Sequence, residues 1–311
     1  MMSDINKASK ICYGTLALSP LQCSYSLQEK TSLLLYAFQK GINFFDTAEL
    51  YDNYDILREL TKNINRKDIY ISTKSYAYSK ETLDQSVDKA LTELSTDYLD
   101  VFMIHEQESI HTFRGHYAAI ERLQELKALG VVRNIGISTH FYRAVRDVGI
   151  QKEVDIIHPI YNEKGIGIVD GNIGQMTDAM KKVKFLGKRI LGMKPLGGGH
   201  LTDDTVRSLR FSFESPLVDW TAVGMRYKEE IDFNLSVLNN TTNHELLSES
   251  ISRKPRSLNI AEWCTGCGAC VERCQQDALE LVDGKCVVNQ DKCVLCSYCA
   301  TACRDFCIKI I

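Results

Sequence analysis

Eight short apolar runs recur along the first 240 residues, each separated from the next by loop or amphipathic helix. They are ICYGTLAL (11–18), INFFDTA (42–48), IYISTKS (69–75), YLDVFMIH (98–105), VRNIGIST (132–139), VDIIHPIY (154–161), RILGMKP (189–195) and VDWTAVGM (218–225). Between them lie helical patterns such as EKTSLLLYAFQK (29–40), KETLDQSVDKALTEL (80–94) and YAAIERLQELKALG (117–130), the last stopped by Gly130. The pattern in TDDTVRSLRFSFE (202–214) is the faintest. Strands that are apolar throughout are buried on both faces, and strands separated by helices pair in parallel. Eight such units fit a closed (β/α)8 barrel over residues 1–240 better than an open doubly wound sheet.

Beyond the eighth unit the texture changes. LNNTTNHELLSESISRKPRSLN (238–259) is polar and contains a Pro, so residues 241–260 read as a helix-containing connector. Residues 261–311 form a second, small α+β domain that is rich in cysteine. Only Cys12 and Cys23 lie outside it; the other ten of the twelve cysteines fall in the last 48 residues. A secreted disulfide scaffold spreads its cysteines through the chain, so a metal site in a reducing compartment fits this distribution better. The net charge of −3 gives no electrostatic basis for binding nucleic acid or an anionic membrane. No apolar run approaches the roughly 18–20 residues that span a bilayer. MMSDINKASK lacks the apolar core of a signal peptide, and a cytoplasmic location is expected.

The cysteines repeat with a period of 29 residues: Cys264, Cys267, Cys270 and Cys274 recur as Cys293, Cys296, Cys299 and Cys303. Ala278-Leu279 likewise recurs as Cys307-Ile308. Structural zinc usually draws two separated cysteine pairs around one ion. The spacing C-x2-C-x2-C-x3-C, present twice, suits two cubane clusters better, with the fourth cysteine of each run reaching the other cluster. The segment resembles the bacterial two-cluster ferredoxins. That resemblance implies two [4Fe-4S] clusters, one held by Cys264, Cys267, Cys270 and Cys303, the other by Cys293, Cys296, Cys299 and Cys274. The Pro that usually follows the fourth cysteine is replaced by Gln275 and Arg304. Cys286 and Cys307 lie outside the pattern and are expected to be packing residues, as are Cys12 and Cys23.

At the C-terminal ends of successive barrel strands stand Asp46, Lys74 and His105, with Tyr51 five residues beyond the acid. Strand ends of a barrel converge on one mouth, so these four should meet there. Together with YLDVFMIH and RNIGIS they resemble the catalytic tetrad of the aldo-keto reductases, over residues 10–240. The resemblance extends to a branch of that family carrying a C-terminal ferredoxin-like domain. It implies a nicotinamide cofactor, NADP(H) or NAD(H), and a small carbonyl or alcohol substrate. Tyr51 would be the general acid, its pKa lowered by Lys74, with Asp46 keeping the lysine charged and His105 orienting the carbonyl.

The same resemblance places Ser138 and His158 near the nicotinamide carboxamide and Met193 over its ring. Lys194 and the glycines 197–199 would lie at the pyrophosphate. Arg226 and Lys228 would lie at a 2′-phosphate and Asn234 at the adenine, although Glu230 and Phe233 depart from the family pattern. The substrate loop that family members carry beyond the last helix is absent, its space left to the connector and cluster domain. KKVKFLGKR (181–189) reads as a solvated helix end, and GIGIVDGNIG (165–174) as a loop that lines the mouth.

A hydride carries two electrons and a cluster passes one, and no flavin motif stands out to mediate between them. Three readings follow. The chain is a nicotinamide-dependent oxidoreductase with electron-transferring clusters; or it is an electron-transfer and partner-docking protein, with a redox protein partner, whose barrel no longer uses nicotinamide; or the clusters only stabilise the C-terminus.

Overall fold

The computed structural model describes residues 5–241, 244–252, 255–274, 276–293, 295 and 298–311. All eight apolar runs form strands: β1 (Ile11–Gly14), β2 (Phe44–Asp46), β3 (Tyr70–Ser75), β4 (Val101–Ile104), β5 (Ile135–Thr139), β6 (Ile156–Pro159), β7 (Arg189–Met193) and β8 (Trp220–Val223). They pair in sequence order, all parallel, and β8 returns to β1 with Thr221 opposite Ile11, so the sheet is closed. Around it run α1 (Leu27–Gln39), α2 (Tyr54–Thr61), α3 (Lys80–Leu94), α4 (Ile110–Gly115), α5 (Tyr117–Ala128), α6 (Tyr142–Asp147), α7 (Ile173–Phe185), α8 (Thr205–Phe213) and α9 (Lys228–Leu238). Several helix starts are fixed by reciprocal caps, such as Ser26 with Glu29 and Asn172 with Gln175.

Strand alternation divides the core into two layers. Cys12, Phe44, Tyr70, Val101, Met103, Ile156, Leu191 and Trp220 fill the barrel interior. Their neighbours Tyr13, Phe45, Ile71, Phe102, Ile137, Ile157 and Ile190 pack outward against the helices. Near the starts of the strands, buried Asp100 accepts Arg66 Nη2 at 2.8 Å, Arg133 Nη1 at 2.9 Å and the Ile71 amide at 3.0 Å, which satisfies its charge.

The chain continues through α10 (His244–Ser252), which packs on α9, into β9 (Leu258–Ile260), α11 (Ala269–Arg273), β10 (Leu279–Val282), β11 (Lys285–Val288), α12 (Tyr298–Ala302) and β12 (Ile308–Ile310). Two antiparallel pairs, β9 with β12 and β10 with β11, frame this small domain. The 29-residue repeat has a local counterpart in the backbone. The Ala278 amide donates to Cys274 Sγ at 3.4 Å, and the equivalent Cys307 amide donates to Cys303 Sγ at 3.2 Å. Gln275 and Cys296 lie outside the described residues.

The small domain is seated on the barrel through the loop after β7. The Ile310 amide donates to Gly198 O at 3.0 Å, Arg256 Nη2 donates to Gly199 O at 3.1 Å, and His200 Nε2 lies 3.1 Å from Ile308 O. Gly198 and Gly199 have φ of 72° and 90°, and there is no room for a side chain on either. A Cβ on Gly198 would lie 2.9 Å from the Phe306 ring, and one on Gly199 would lie 2.4 Å from Ile310 O. These two glycines, expected at a pyrophosphate, admit the close approach of β12 and Phe306.

Candidate active site and cluster cavity

Tyr51 ends a short 3-10 turn (Glu49–Tyr51) closed by Asp52 in the left-handed region. Asn53 pins this turn to the barrel, donating to Thr15 O at 2.9 Å and accepting from Thr47 Oγ1 at 2.7 Å. Asp46 and Lys74 come from the ends of β2 and β3 and are buried. Lys74 Nζ donates to Asp46 Oδ1 at 2.8 Å, to Asp46 Oδ2 at 2.7 Å and to Thr47 O at 2.7 Å. The same ammonium lies 5.1 Å from the centre of the Tyr51 ring, and the Tyr51 and His105 rings meet edge to face at 6.1 Å. All four residues of the sequence reading thus converge.

The electrostatics differ from expectation. Burial, followed by the carboxylates of Asp46 and Glu106, raises the Tyr51 phenol well above its ordinary value. The expected lowering by Lys74 is absent because the Asp46 carboxylate paired with it offsets its charge. Burial, then the charge on Lys74, lowers His105 well below its ordinary value, so its imidazole is neutral. Its Nδ1 is buried and has no partner among the described residues.

Beside the tetrad lies a row of residues that spacing did not reveal. Tyr76 stacks on His105 at 4.6 Å and donates to Glu106 Oε2 at 2.7 Å. Glu106 Oε1 is 3.9 Å from His140 Nε2, which lies 2.8 Å from Lys194 Nζ. Lys194 Nζ is 4.0 Å from the centre of the Phe306 ring, and the Phe306 amide donates to Cys303 O at 3.4 Å. An unbroken series of contacts therefore joins Tyr51 to the Cys303 backbone. Lys309 is buried with its Nζ 4.3 Å from the Trp263 ring, and burial, partly offset by Cys307 and Glu106, brings it down to about 8.

The nucleotide candidates separate into two groups. Ser138 and Met193 stand at the ends of β5 and β7, and Ser138 Oγ accepts the Glu106 amide at 2.9 Å. His158 is a core residue: its Nδ1–H donates to Leu191 O at 2.5 Å, Nε2 sits 3.7 Å from Asp46, and burial lowers it to about 4. Lys194, expected at the pyrophosphate, turns inward to His140 and Phe306. At the start of α9 the Glu230 carboxylate folds back onto the amides of Arg226 (2.5 Å) and Tyr227 (3.2 Å). It fills with negative charge the helix N-terminus that a phosphate would use. Arg226 stacks loosely over Tyr25 at 5.9 Å, and Asn234 is buried on α9. Ser138 and Met193 thus stand at the barrel mouth, while the Glu230 carboxylate occupies the start of α9.

In the small domain, Cys264, Cys267, Cys270 and Cys303 line one cavity. Four soft sulfur donors facing one cavity, one of them accepting a backbone amide, fit a cubane cluster. Cys286 and Cys307 line the same cavity, which refines their expected packing role. Of the second set, Cys299 is buried and Cys274 and Cys293 are half-buried.

The Aldo/keto reductase family model matches residues 10–249, and the 4Fe-4S binding domain model matches residues 260–280. An uncharacterized oxidoreductase of Bacillus subtilis is 35% identical over 126 residues, 35% of this chain and 39% of its own. L-galactose dehydrogenase of Arabidopsis thaliana is 27% identical over 211 residues, 63% of this chain and 64% of its own. Methylglyoxal reductase of Yersinia pestis is 28% identical over 148 residues, 45% and 52% of the two chains. The chain thus spans between 39% and 64% of the length of these relatives. Among solved structures, a Bacillus halodurans aldo-keto reductase in its holo form superposes with a TM-score of 0.63 at 18% identity, covering 78% of this chain and 92% of that one. A thermostable aldo-keto reductase bound to the inhibitor epalrestat gives 0.58 at 18% identity, covering 78% and 94%. At such identity these two matches concern the fold. With the family model spanning the whole closed barrel, the chain belongs to the aldo/keto reductase family and carries a C-terminal 4Fe-4S binding domain.

Proposed function

We propose that the Tyr51 mouth reduces the carbonyl of a small molecule, or oxidises the corresponding alcohol, and that residues 261–311 carry two [4Fe-4S] clusters that exchange electrons with it. The observation that carries the first part is the Lys74 ammonium, fixed between Asp46 and the Tyr51 ring with His105 alongside. A bound nicotinamide would supply or accept the hydride. Tyr51 holds the proton destined for the developing alkoxide. Neutral His105 offers a ring N–H or lone pair to the substrate oxygen or a bound water. Ser138 and Met193 would hold the nicotinamide end.

A general acid must carry its proton, and a raised pKa keeps that proton to higher pH. The kcat/KM for carbonyl reduction is therefore expected to stay level up to the ordinary phenol value of 10. A limb falling through neutral pH would mean that the phenol is not the acid, or that its environment differs.

The second part is supported by the cavity ringed by Cys264, Cys267, Cys270 and Cys303, and by the matching amide bonds to Cys274 and Cys303. Anaerobically purified protein should contain about eight irons and eight sulfides per chain. Half that amount would leave the Cys293 set without a cluster. Cysteine carries the cluster domain's chemistry, and a redox protein is its natural electron source.

A second reading has the barrel working without nicotinamide. It is favoured by the covered Gly198–Gly199 loop, the inward Lys194 and the Glu230 carboxylate at the start of α9. Titration with NADH and with NADPH separates the two: binding of either favours the first, and binding of neither favours the second. Cytoplasmic location remains part of the proposal; no helix among the described residues is long and apolar enough to cross a membrane.

A further inference from the structure

The cavity lined by the four cysteines of the first set holds more thiols than a cubane needs. Cys286 sits on β11 with Leu281 of β10 directly across the hairpin, and its side chain is buried while those of Lys285 and Val287 are exposed. Its Sγ lies 3.4 Å from Cys270 Sγ, both residues being less than a tenth exposed. An alanine or valine would fill this position equally well by packing. What the thiol adds is a donor, since S–H can give a hydrogen bond to a neighbouring sulfur.

The repeat places a thiol at this position in one half only. Shifting by 29 residues maps Cys286 onto Ser257, which is used in the backbone pair with Ile311: the Ser257 amide donates to Ile311 O at 2.9 Å and the Ile311 amide to Ser257 O at 3.0 Å. Cys307, the other additional thiol of the same cavity, maps onto Ala278. The two halves are thus alike in their ligands and in the amide bonds to Cys274 and Cys303, and unlike in the thiols around them.

We propose that Cys286 is a positioning residue of the first cluster site: its S–H donates to the Cys270 sulfur and raises the reduction potential of that cluster relative to its neighbour. The physical basis is that reduction adds negative charge, part of which falls on the ligand sulfurs. A donor aimed at one of them stabilises the reduced form more than the oxidised form. The inference rests on the cluster reading above, and makes the pair directional, with electrons settling on the Cys264 set.

The test is anaerobic redox potentiometry of the full chain, followed by electron paramagnetic resonance, on the wild type, Cys286→Val and Cys286→Ser. Valine keeps the volume and removes the donor; serine keeps a donor. The expected result is that one of the two reduction steps moves to more negative potential in Cys286→Val, the other stays, and Cys286→Ser remains near the wild type, all with unchanged iron. Full iron with neither step moved in Cys286→Val would overturn the proposal, as would an equal shift in Cys286→Ser. Loss of iron from both variants would make Cys286 a ligand instead, which also overturns it. Wild-type protein with far fewer than about eight irons per chain would sink the two-cluster reading itself, and is distinguishable because the deficit precedes any substitution.

Discussion

Replacing Tyr51 with Phe is expected to lower carbonyl reduction by about 10²–10⁴-fold, the range over which a positioned general acid contributes. The substitution removes one oxygen and leaves the ring on which Lys74 and His105 pack, so the barrel should keep its thermal midpoint. Iron content and the visible absorbance of the clusters should be unchanged, because the Cys264 set lines a cavity in the other domain. The loss should appear in kcat, since the phenol acts on charge that develops in the transition state. Activity equal to the wild type would remove Tyr51 from the reaction.

The second large effect concerns stability. The Lys74–Asp46 pair is buried, with side chains 2% and 6% exposed. Lys74→Met leaves the Asp46 carboxylate without its ammonium and should cost about 3–5 kcal/mol, the usual penalty for an uncompensated buried charge. The double variant Asp46→Asn, Lys74→Met removes both charges, and should recover most of that loss while remaining inactive. Chemical denaturation followed on the barrel tryptophan Trp220, buried inside the strands, reads the difference. If the double variant were as unstable as the single one, the cost would lie in packing and not in the orphaned carboxylate.

How much of this was legible in the sequence follows from the range of the interactions involved. Each strand could be read from its own residues, because a buried parallel strand is apolar along its length, and IYISTKS or VRNIGIST carries that information locally. The meeting of Asp46, Lys74 and His105 was legible because a closed barrel turns strand order into proximity. Tyr51 followed from the short turn that joins it to Asp46.

What escaped depends on which atoms occupy the space. GGG at 197–199 announces that backbone is closely approached, and family resemblance supplied a phosphate as the visitor. The visitor is β12 and Phe306, more than a hundred residues away in sequence. Spacing places Lys74 near Tyr51, yet it does not reveal that the Thr47 carbonyl takes the third ammonium proton. Glu106 and His140 each follow a residue that carried a signal, one after His105 and one two after Ser138. Only the fold turns them toward Lys194. Cys286 gave no periodic cue because its counterpart in the repeat is a serine.

The connected contacts from Tyr51 through His105, Tyr76, Glu106, His140, Lys194 and Phe306 to the Cys303 backbone give the proposed redox link a physical location. Phe306 is the member of that series contributed by the small domain. Its removal should therefore uncouple the domains without touching the tetrad. The most direct measurement is anaerobic turnover of a carbonyl probe by the full chain, once with oxidised clusters and once after reduction by dithionite and removal of the excess. The expected result is a rate that changes with the oxidation state of the clusters in the wild type and ceases to change in Phe306→Ala. Identical wild-type rates in the two states would contradict any exchange between the clusters and the Tyr51 mouth.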